Sequence, residues 1–242
     1  HGAYITTGTW ATQALSEAKK VSKPVEVYSS HSSGFDRVPQ ESLSVDSDAA
    51  YLHYASNNTI YGTQFHRRPR CPDRVPLVCD MSSDILSRPV DISKYGLIYA
   101  GAQKNMGPSG VTVLIVKKTL LERSDADLPM MFSYAGVAAK NSLLNTPPTF
   151  AIYMVGKVAD YWMKQGGLDA VHAYNQEKAA LIYDAIDQSE GFYRGHAQSD
   201  SRSLMNMSFR LPNAELETAF LSAAESQNMV GLRGHKSVGG VR

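Results

Sequence analysis

Short apolar segments alternate with helical and loop segments along this chain, and that alternation limits the folds it can adopt. Six segments are rich in β-branched or aromatic residues, are bounded by turn residues, and predict strands; they are residues 3–6, 25–28, 50–55, 76–79, 97–100 and 111–116. Between the first two, apolar residues at positions 11, 14, 15, 18 and 21 have the spacing of an amphipathic helix. Short buried strands separated by helices or long loops predict an α/β fold with a mostly parallel central sheet.

The character of the sequence changes after residue 149. The elements predicted there are helices over Phe150–Lys164, Leu168–Gln188 and Ala214–Gln227, a strand over Leu204–Leu211, and a strand-like last piece over Met229–Arg242. Gly166 and Gly167 separate the first two helices. We therefore predict a large domain over residues 1–165 and part of a small α+β domain over residues 166–242.

Composition excludes several classes of protein. Hydrophobic residues make up 43% and charged residues 19%, which is typical of a globular chain. The formal charge of +1 argues against a nucleic-acid binder that relies on bulk positive charge. No apolar run approaches the length of about 18 residues that a bilayer requires, and no metal-ligand spacing is present. Two cysteines indicate a reducing compartment, so we expect a cytoplasmic protein.

Two residues that follow predicted strands are candidates for chemistry, because ligands of parallel sheets bind beyond the carboxyl ends of the strands. Lys104 lies in a glycine-bounded loop, where loss of hydration would lower the pKa of its amine and make it a nucleophile. An ordinary solvated loop lysine is the alternative. Asp80 directly follows an apolar strand, and its alternative role is to cap a short helix.

Together, Asp80 and Lys104 fit a site for pyridoxal 5′-phosphate (PLP). The carboxylate would keep the pyridine nitrogen protonated, and the lysine would hold the aldehyde as an imine. Trp10 follows the first strand and is placed to lie against a ring; a core tryptophan is the alternative. Thr59 also lies beyond a strand, where it could meet a cofactor hydroxyl or belong to an asparagine-rich turn.

Longer blocks around these residues carry a family resemblance. The blocks are His53–Gly62, Val78–Ser83, Leu86–Ser93, Gly101–Asn105, Asn145–Phe150 and Gly234–Arg242. In this order, over nearly the whole chain, they resemble the phosphoserine aminotransferase family. The resemblance implies the large domain of a fold-type-I PLP transferase with part of its small domain. We also expect a longer protein, because the sequence lacks the family's glycine-rich turn at the front and the end of the small domain.

The resemblance also implies roles for individual residues. Lys104 would be the Schiff-base lysine that moves the proton between the substrate and the cofactor. The other expected cofactor contacts are Asp80 at the pyridine nitrogen, Trp10 on the ring, Thr59 at the phenolic oxygen, Gln103 at the phosphate, and Asn145 and Thr146 at the phosphate of a neighbouring subunit. That last pair implies a homodimer with shared sites.

Three residues near the end match the family's substrate site. Arg242 matches the arginine that clamps the α-carboxylate, a task suited to its planar fork. His235 and Lys236 match a His-Arg pair near the substrate's phosphate or side-chain carboxylate. Lys236 departs from that pair, because it keeps the charge and loses the bidentate geometry.

The implied reaction is amino transfer from L-glutamate to 3-phosphohydroxypyruvate, giving O-phospho-L-serine and 2-oxoglutarate for serine biosynthesis. The analogous formation of 4-phosphohydroxy-L-threonine, for pyridoxine biosynthesis, is not separated from it by the sequence. Two alternatives stay open. A lyase or desulfurase of the same fold would share Asp80 and Lys104, and a non-catalytic scaffold would keep the fold without an imine at Lys104.

Overall fold

The structure is a computed structural model that describes residues 1–125, 127–236 and 238–242. Its strands are β1 (Gly2–Thr6), β2 (Val25–Ser29), β3 (Tyr51–Ala55), β4 (Asn57–Asn58), β5 (Thr63–Gln64), β6 (Leu77–Asp80), β7 (Leu97–Gly101), β8 (Thr112–Val116), β9 (Arg194–Gly195) and β10 (Phe209–Arg210). Its helices are α1 (Thr9–Val21), α2 (Lys118–Leu121), α3 (Tyr134–Ala139), α4 (Thr149–Lys164), α5 (Gly167–Asp187) and α6 (Ala214–Ser226). Short 3₁₀ turns cover His31–Ser33, Ile92–Lys94, Met130–Phe132 and Ser199–Ser201.

Six strands form the central sheet in the order β2-β1-β3-β6-β7-β8. All neighbouring pairs are parallel except β7 with β8, which is antiparallel. The predicted α/β fold with a mostly parallel sheet is therefore confirmed. Antiparallel β4 and β5 form a small hairpin where the sequence predicted only a turn.

Successive side chains of each strand point to opposite faces of the sheet, and the two faces carry different residues. Ile5, Leu52, Leu77 and Ile98 are at most 2% exposed and form the main core with loop residues. The opposite face carries the aromatic side chains of Tyr4, His53 and Tyr99, with the His53 Nε2 atom 2.9 Å from the Tyr99 hydroxyl. Burial lowers the pKa of His53 to about 4, so this imidazole is neutral at pH 7.

The predicted strand over Leu204–Leu211 is wrong in its extent. Only Phe209–Arg210 forms a strand, and it pairs with β9. Upstream of it, the backbone donates to the hairpin of β4 and β5 and forms no ladder with a neighbouring strand: Ser203 N–H donates to Gly62 O at 2.9 Å, and Leu204 N–H donates to the Gln64 side chain at 3.0 Å. Hydrogen bonds to residues distant in sequence therefore take the place of the strand pairing that the apolar pattern favoured.

The strand-like piece over Met229–Arg242 is also not a strand. Its described residues form only isolated bridges, Arg233 with Val241 and Phe209 with Val241. Gly239 and Gly240 have φ angles of +71° and +74°, which turn the backbone back on itself. This turn directs the chain back toward the sheet. Arg242 thereby reaches Thr59, in the turn between β4 and β5.

The parallel register places the ends of β1, β3, β6 and β7 at one edge of the sheet, where the chain continues into residues 7–10, 56–59, 81–87 and 102–107. No helix among the described residues is long and apolar enough to cross a membrane. Within the same residues, no group of three or more His, Cys, Asp or Glu side chains is placed to hold a metal ion.

Candidate active site

Lys104 lies at the carboxyl edge of the sheet, in the loop that follows β7. The start of this loop is fixed where Gly101 N–H donates to Ser82 Oγ at 3.1 Å. Its far side is fixed where the Asn105 amide donates to a backbone carbonyl of the β6 loop at 2.6 Å. The Lys104 amine donates to Thr59 Oγ1 at 2.6 Å, so it has a defined position beneath the hairpin.

The pKa of Lys104 lies below its ordinary value. Loss of hydration around the amine is the largest cause, and the positive charge of Arg242 acts in the same direction. The carboxylates of Asp80 and Asp84 oppose the shift. The residue as a whole is exposed, which leaves the amine reachable by a carbonyl compound while its ammonium form is destabilised.

We expect the lowered pKa to appear in the pH profile of amine labelling. In protein without cofactor, an acylating reagent should modify Lys104 with a midpoint below the ordinary lysine value, because only the neutral amine reacts. Peptide mass spectrometry across a pH series measures the midpoint, with the peptide that carries surface residue Lys94 normalising the reagent. The Asp80→Asn substitution should move the midpoint further down. A midpoint at or above the ordinary lysine value would contradict the expectation.

Asp80 is the last residue of β6, and its side chain is oriented by its own turn. Its Oδ1 atom accepts a hydrogen bond from Ser82 N–H at 2.8 Å, and its carbonyl accepts one from Ser56 N–H at 2.9 Å. The side chain thus makes a local Asx turn, and no regular helix follows it. The carboxylate is half-buried and lies close enough to Lys104 to act on its charge.

Trp10 and Thr59 complete the surroundings of the lysine amine. Trp10 is the second residue of α1 and is 46% exposed, so it is not a core tryptophan. Its ring centroid lies 5.7 Å from Lys104 Nζ, which places the indole at the mouth of the site. Thr59 lies in the turn between β4 and β5, with its hydroxyl on Lys104 and its carbonyl accepting from Arg242 Nη1 at 3.3 Å.

The chain end reaches this cluster through a tight loop. Gly234 N–H donates to Gly240 O at 2.8 Å, and Arg242 N–H donates to Leu232 O at 2.8 Å. The loop carries His235, which is half-buried, and Lys236, which is exposed. Ser237, within the same sequence block, lies outside the described residues.

The remaining predicted residues are placed differently. Gln103 is exposed beside Lys104, and its side chain folds back over Gly101. Asn145 and Thr146 are exposed on the segment that leads into α4, and no hydrogen bond within the described residues joins them to Lys104 or Asp80. Contacts and charge effects thus link Trp10, Thr59, Asp80, Lys104 and Arg242, and Gln103 is the neighbour of Lys104 in sequence. No such contact among the described residues includes Asn145 or Thr146.

Sequence reasoning missed a buried ion pair directly behind the site. Asp84 is 2% exposed and accepts from the Ser56 hydroxyl, from the Gln64 amide at 3.1 Å and from Arg88 Nη2 at 3.4 Å. Burial raises the pKa of Asp84, and Arg88 opposes that shift. The one local signal was the four-residue spacing of Asp84 and Arg88, which is the spacing of an ion pair on a helix.

Ser82 was missed as well, although it lies inside a motif block. Its backbone N–H orients the Asp80 carboxylate, and its hydroxyl accepts from Gly101 N–H, the first anchor of the Lys104 loop. One serine therefore links the carboxylate to the lysine. A carboxylate, an amine of lowered pKa and an indole around one opening form a site that can take a flat, positively charged ring bearing a carbonyl.

Comparisons with known proteins agree with one another. A model of the family described as aminotransferase class-V matches residues 4–239. The phosphoserine aminotransferase of Lysinibacillus sphaericus is 53% identical over 240 residues, covering 99% of this chain and 66% of the relative. This chain therefore spans about two thirds of the length of the curated relatives that it matches.

Solved structures give the same result. The phosphoserine aminotransferase from Bacillus circulans subsp. alkalophilus superposes with a TM-score of 0.95 at 52% identity, over 100% of this chain and 67% of that one. The PLP-bound phosphoserine aminotransferase from Trichomonas vaginalis gives a TM-score of 0.88 at 36% identity, over 99% of this chain and 69% of that one.

Proposed function

The chain belongs to the aminotransferase class-V family, and on that premise we propose that the full-length protein is a PLP-dependent phosphoserine aminotransferase. It would transfer the amino group of L-glutamate to 3-phosphohydroxypyruvate, giving O-phospho-L-serine and 2-oxoglutarate. The observation that carries the proposal is the Lys104 amine, held 2.6 Å from the Thr59 hydroxyl with its pKa lowered, in the field of Asp80. The resemblance to phosphoserine aminotransferases at about half identity supports the choice of substrates.

The residues present fit PLP by the chemistry of their donor set. The carboxylate of Asp80 is preset by the Ser82 N–H and suits the protonated nitrogen of a pyridine ring. The exposed indole of Trp10 suits the face of that ring, and the amine of Lys104 suits its aldehyde. When bound, PLP supplies the electron sink that stabilises negative charge at the substrate α-carbon.

The chain's own residues would divide the remaining tasks. Lys104 moves a proton at its Nζ atom, and its lowered pKa raises the fraction of neutral amine that can act as a general base. Asp80 holds the proton on the pyridine nitrogen. Trp10 excludes water from one face of the ring, and the Thr59 hydroxyl orients the phenolic oxygen. Gln103 would bind the cofactor phosphate.

The carboxylates and the phosphate of the substrates require positively charged partners. We assign that task to residues of the C-terminal segment. Arg242 presents a planar fork for the α-carboxylate, and its position against the Thr59 carbonyl ties that fork to the cofactor side of the site. His235 and Lys236 would face the phosphate of one substrate and the side-chain carboxylate of the other. We assign them the anion subsite because they share one tight loop with Arg242.

Several further points belong to this proposal. We propose a homodimer in which Asn145 and Thr146 serve the partner's cofactor phosphate, since both are exposed and lie outside the Lys104 cluster. We also propose that residues 1–165 form the PLP-binding domain and residues 166–242 part of the small domain. A cytoplasmic location fits the free thiols of Cys71 and Cys79. The same site would also form 4-phosphohydroxy-L-threonine.

The proposed reaction is tested by its two half-reactions. Glutamate should bleach the visible band of the PLP-loaded protein and release one equivalent of 2-oxoglutarate per site. 3-Phosphohydroxypyruvate should restore the band, with O-phosphoserine as the product, and pyruvate should do so far more slowly. A protein that binds PLP and exchanges with neither compound would not be this transaminase.

Removing the charge of Lys236 separates the proposal from a lyase or desulfurase of the same fold. We expect Lys236→Ala to raise the KM values for 3-phosphohydroxypyruvate and glutamate by about tenfold to a hundredfold, since a charged hydrogen bond contributes about 1.5–3 kcal/mol. Steady-state kinetics measure the change, with the exposed Lys140→Ala as the control. Unchanged KM values for both substrates would favour an enzyme that has no second anion to bind.

A further inference from the structure

Asn57 is a buried amide whose polar groups are all engaged. It lies in β4 and is 5% exposed. Its Nδ2 atom donates to Ser83 Oγ at 2.8 Å and to Asn206 Oδ1 at 2.9 Å, and its Oδ1 atom accepts from Ser203 Oγ at 2.5 Å. A primary amide offers two N–H donors and one oxygen, so the side chain is fully satisfied by three partners.

These partners belong to two separate parts of the chain. Ser83 lies in the turn that begins at Asp80, and its hydroxyl also donates to the Asn57 carbonyl at 3.0 Å. Ser203 and Asn206 belong to residues 198–208, which we call the strap. The strap follows α5 and β9 and runs against the β4–β5 hairpin, where Ser208 Oγ donates to Ile60 O at 3.3 Å. Asn57 thus connects the Asp80 turn and the hairpin with the strap.

The strap continues to the substrate arginine. Phe209, the next residue after it, exchanges two backbone hydrogen bonds with Val241, at 3.0 and 2.9 Å. Arg242 follows Val241, and its Nη1 atom donates to the Thr59 carbonyl at 3.3 Å. Thr59 is two residues from Asn57 on the same hairpin. The contacts therefore close into a ring: hairpin, strap, Phe209, Val241, Arg242 and back to the hairpin.

We propose that Asn57 is a positioning residue that stabilises this ring, adding the Asp80 turn to the other hydrogen bonds between strap and hairpin, and so fixes the guanidinium of Arg242 relative to Thr59 and Lys104. The inference rests on the proposed function, because it assigns Arg242 to a substrate carboxylate. A bidentate arginine binds a carboxylate well only when its plane is already set, since ordering it on binding costs free energy. Asn57 touches no reacting atom in this assignment and acts through the hairpin and the strap.

The matched control is Asn175, which is also an asparagine and also 5% exposed. Its amide donates to Ser87 O at 3.2 Å and joins α5 to the β6 loop. It thereby connects α5 with the sheet side, and its amide makes no hydrogen bond to the hairpin or the strap among the described residues. Asn57→Ala and Asn175→Ala therefore compare two buried amides that each join distant segments of the same chain, and only Asn57 belongs to the ring.

Two measurements on the full-length protein test the role. In protein without cofactor, Asn57→Ala should speed amide hydrogen exchange in both residues 57–64 and residues 232–242, whereas Asn175→Ala should change neither. With PLP bound, glutarate is a probe that has both carboxylates of glutamate and no amino group. Its Kd should rise about tenfold to a hundredfold in Asn57→Ala, the scale expected of a misplaced binding group, with PLP affinity within about threefold of wild type.

A different pair of results would contradict the positioning role of Asn57. If the two alanine variants lose similar thermal stability and bind glutarate alike, Asn57 only stabilises the fold. Should Asn57→Ala not fold, the double variant Ser203→Ala/Asn206→Ala removes both contacts between Asn57 and the strap and leaves the bond of Asn57 to Ser83 in place; unchanged glutarate binding in that variant overturns the proposal. If the wild-type protein does not accept the amino group of glutamate, the proposed transaminase activity is refuted instead. The amide hydrogen-exchange measurement then still tests whether Asn57 orders the hairpin and the C-terminal segment.

Discussion

Replacing Lys104 by alanine is expected to lower transamination by at least about 10³-fold, within the range known for loss of a positioned acid–base group. The substitution removes the one amine that the structure holds against Thr59 with a lowered pKa. Binding of PLP should weaken and its absorption band should change, because no protein amine remains to bond the aldehyde. Single-turnover kinetics with glutamate measure the first effect, and absorbance titration measures the second.

A matched variant separates chemistry from general damage. Lys94→Ala removes an exposed lysine from the 3₁₀ turn over Ile92–Lys94, on the loop before β7, and should leave the rate within about twofold of wild type. Lys104→Arg keeps a positive charge and cannot supply a neutral amine, since a guanidinium stays protonated in proteins; we expect it to be as slow as the alanine variant. Substantial activity in either Lys104 variant would show that another group moves the proton.

Replacing Asp80 by asparagine is expected to lower kcat by about 10²–10³-fold, the range seen when one preorganised electrostatic contact is lost. The amide is nearly the same shape and can still accept the hydrogen bond from Ser82 N–H, so the turn should persist. What disappears is the negative charge that would hold the proton on the pyridine nitrogen. The same charge raises the pKa of Lys104, so the substitution should lower that pKa further.

Asp91 offers a control with the same local geometry. Its Oδ1 atom accepts from Ser93 N–H at 3.1 Å, which repeats the turn made by Asp80 and Ser82 on an exposed loop. Asp91→Asn should leave kcat within about twofold of wild type. Steady-state kinetics of both variants, together with the visible spectrum of bound PLP against pH, distinguish loss of the charge from loss of the turn. Equal kinetics for Asp80→Asn and wild type would remove Asp80 from the site.

The predicted site residues that the structure brings close to Lys104 are mostly those that lie at the ends of strands. Trp10, Thr59, Asp80 and Lys104 each lie at the end of a strand or shortly after one, and parallel register converts that order along the chain into proximity at one edge of the sheet. The mostly parallel α/β fold could be predicted for the same reason, since β-branched segments bounded by turns are a local signal.

Contacts between distant parts of the chain were beyond such reasoning. Arg242 lies 183 residues from Thr59 in sequence, and the partners of Asn57 on the strap lie 146 and 149 residues away. The predicted strand over Leu204–Leu211 failed for the same reason, because the Gly62 carbonyl and the Gln64 side chain accept hydrogen bonds that a ladder would have used. Local propensity does not encode that competition.

The most direct measurement on the central claim is reduction of the PLP-loaded, full-length protein with borohydride, followed by peptide mapping. We expect a yellow protein whose visible band disappears on reduction, with the reduced pyridoxyl group on the peptide that contains Lys104 and on no other. The band should be absent from Lys104→Ala under the same conditions. A full-length protein that takes up no PLP, or that carries the reduced group on a different lysine, would contradict the assignment of this site.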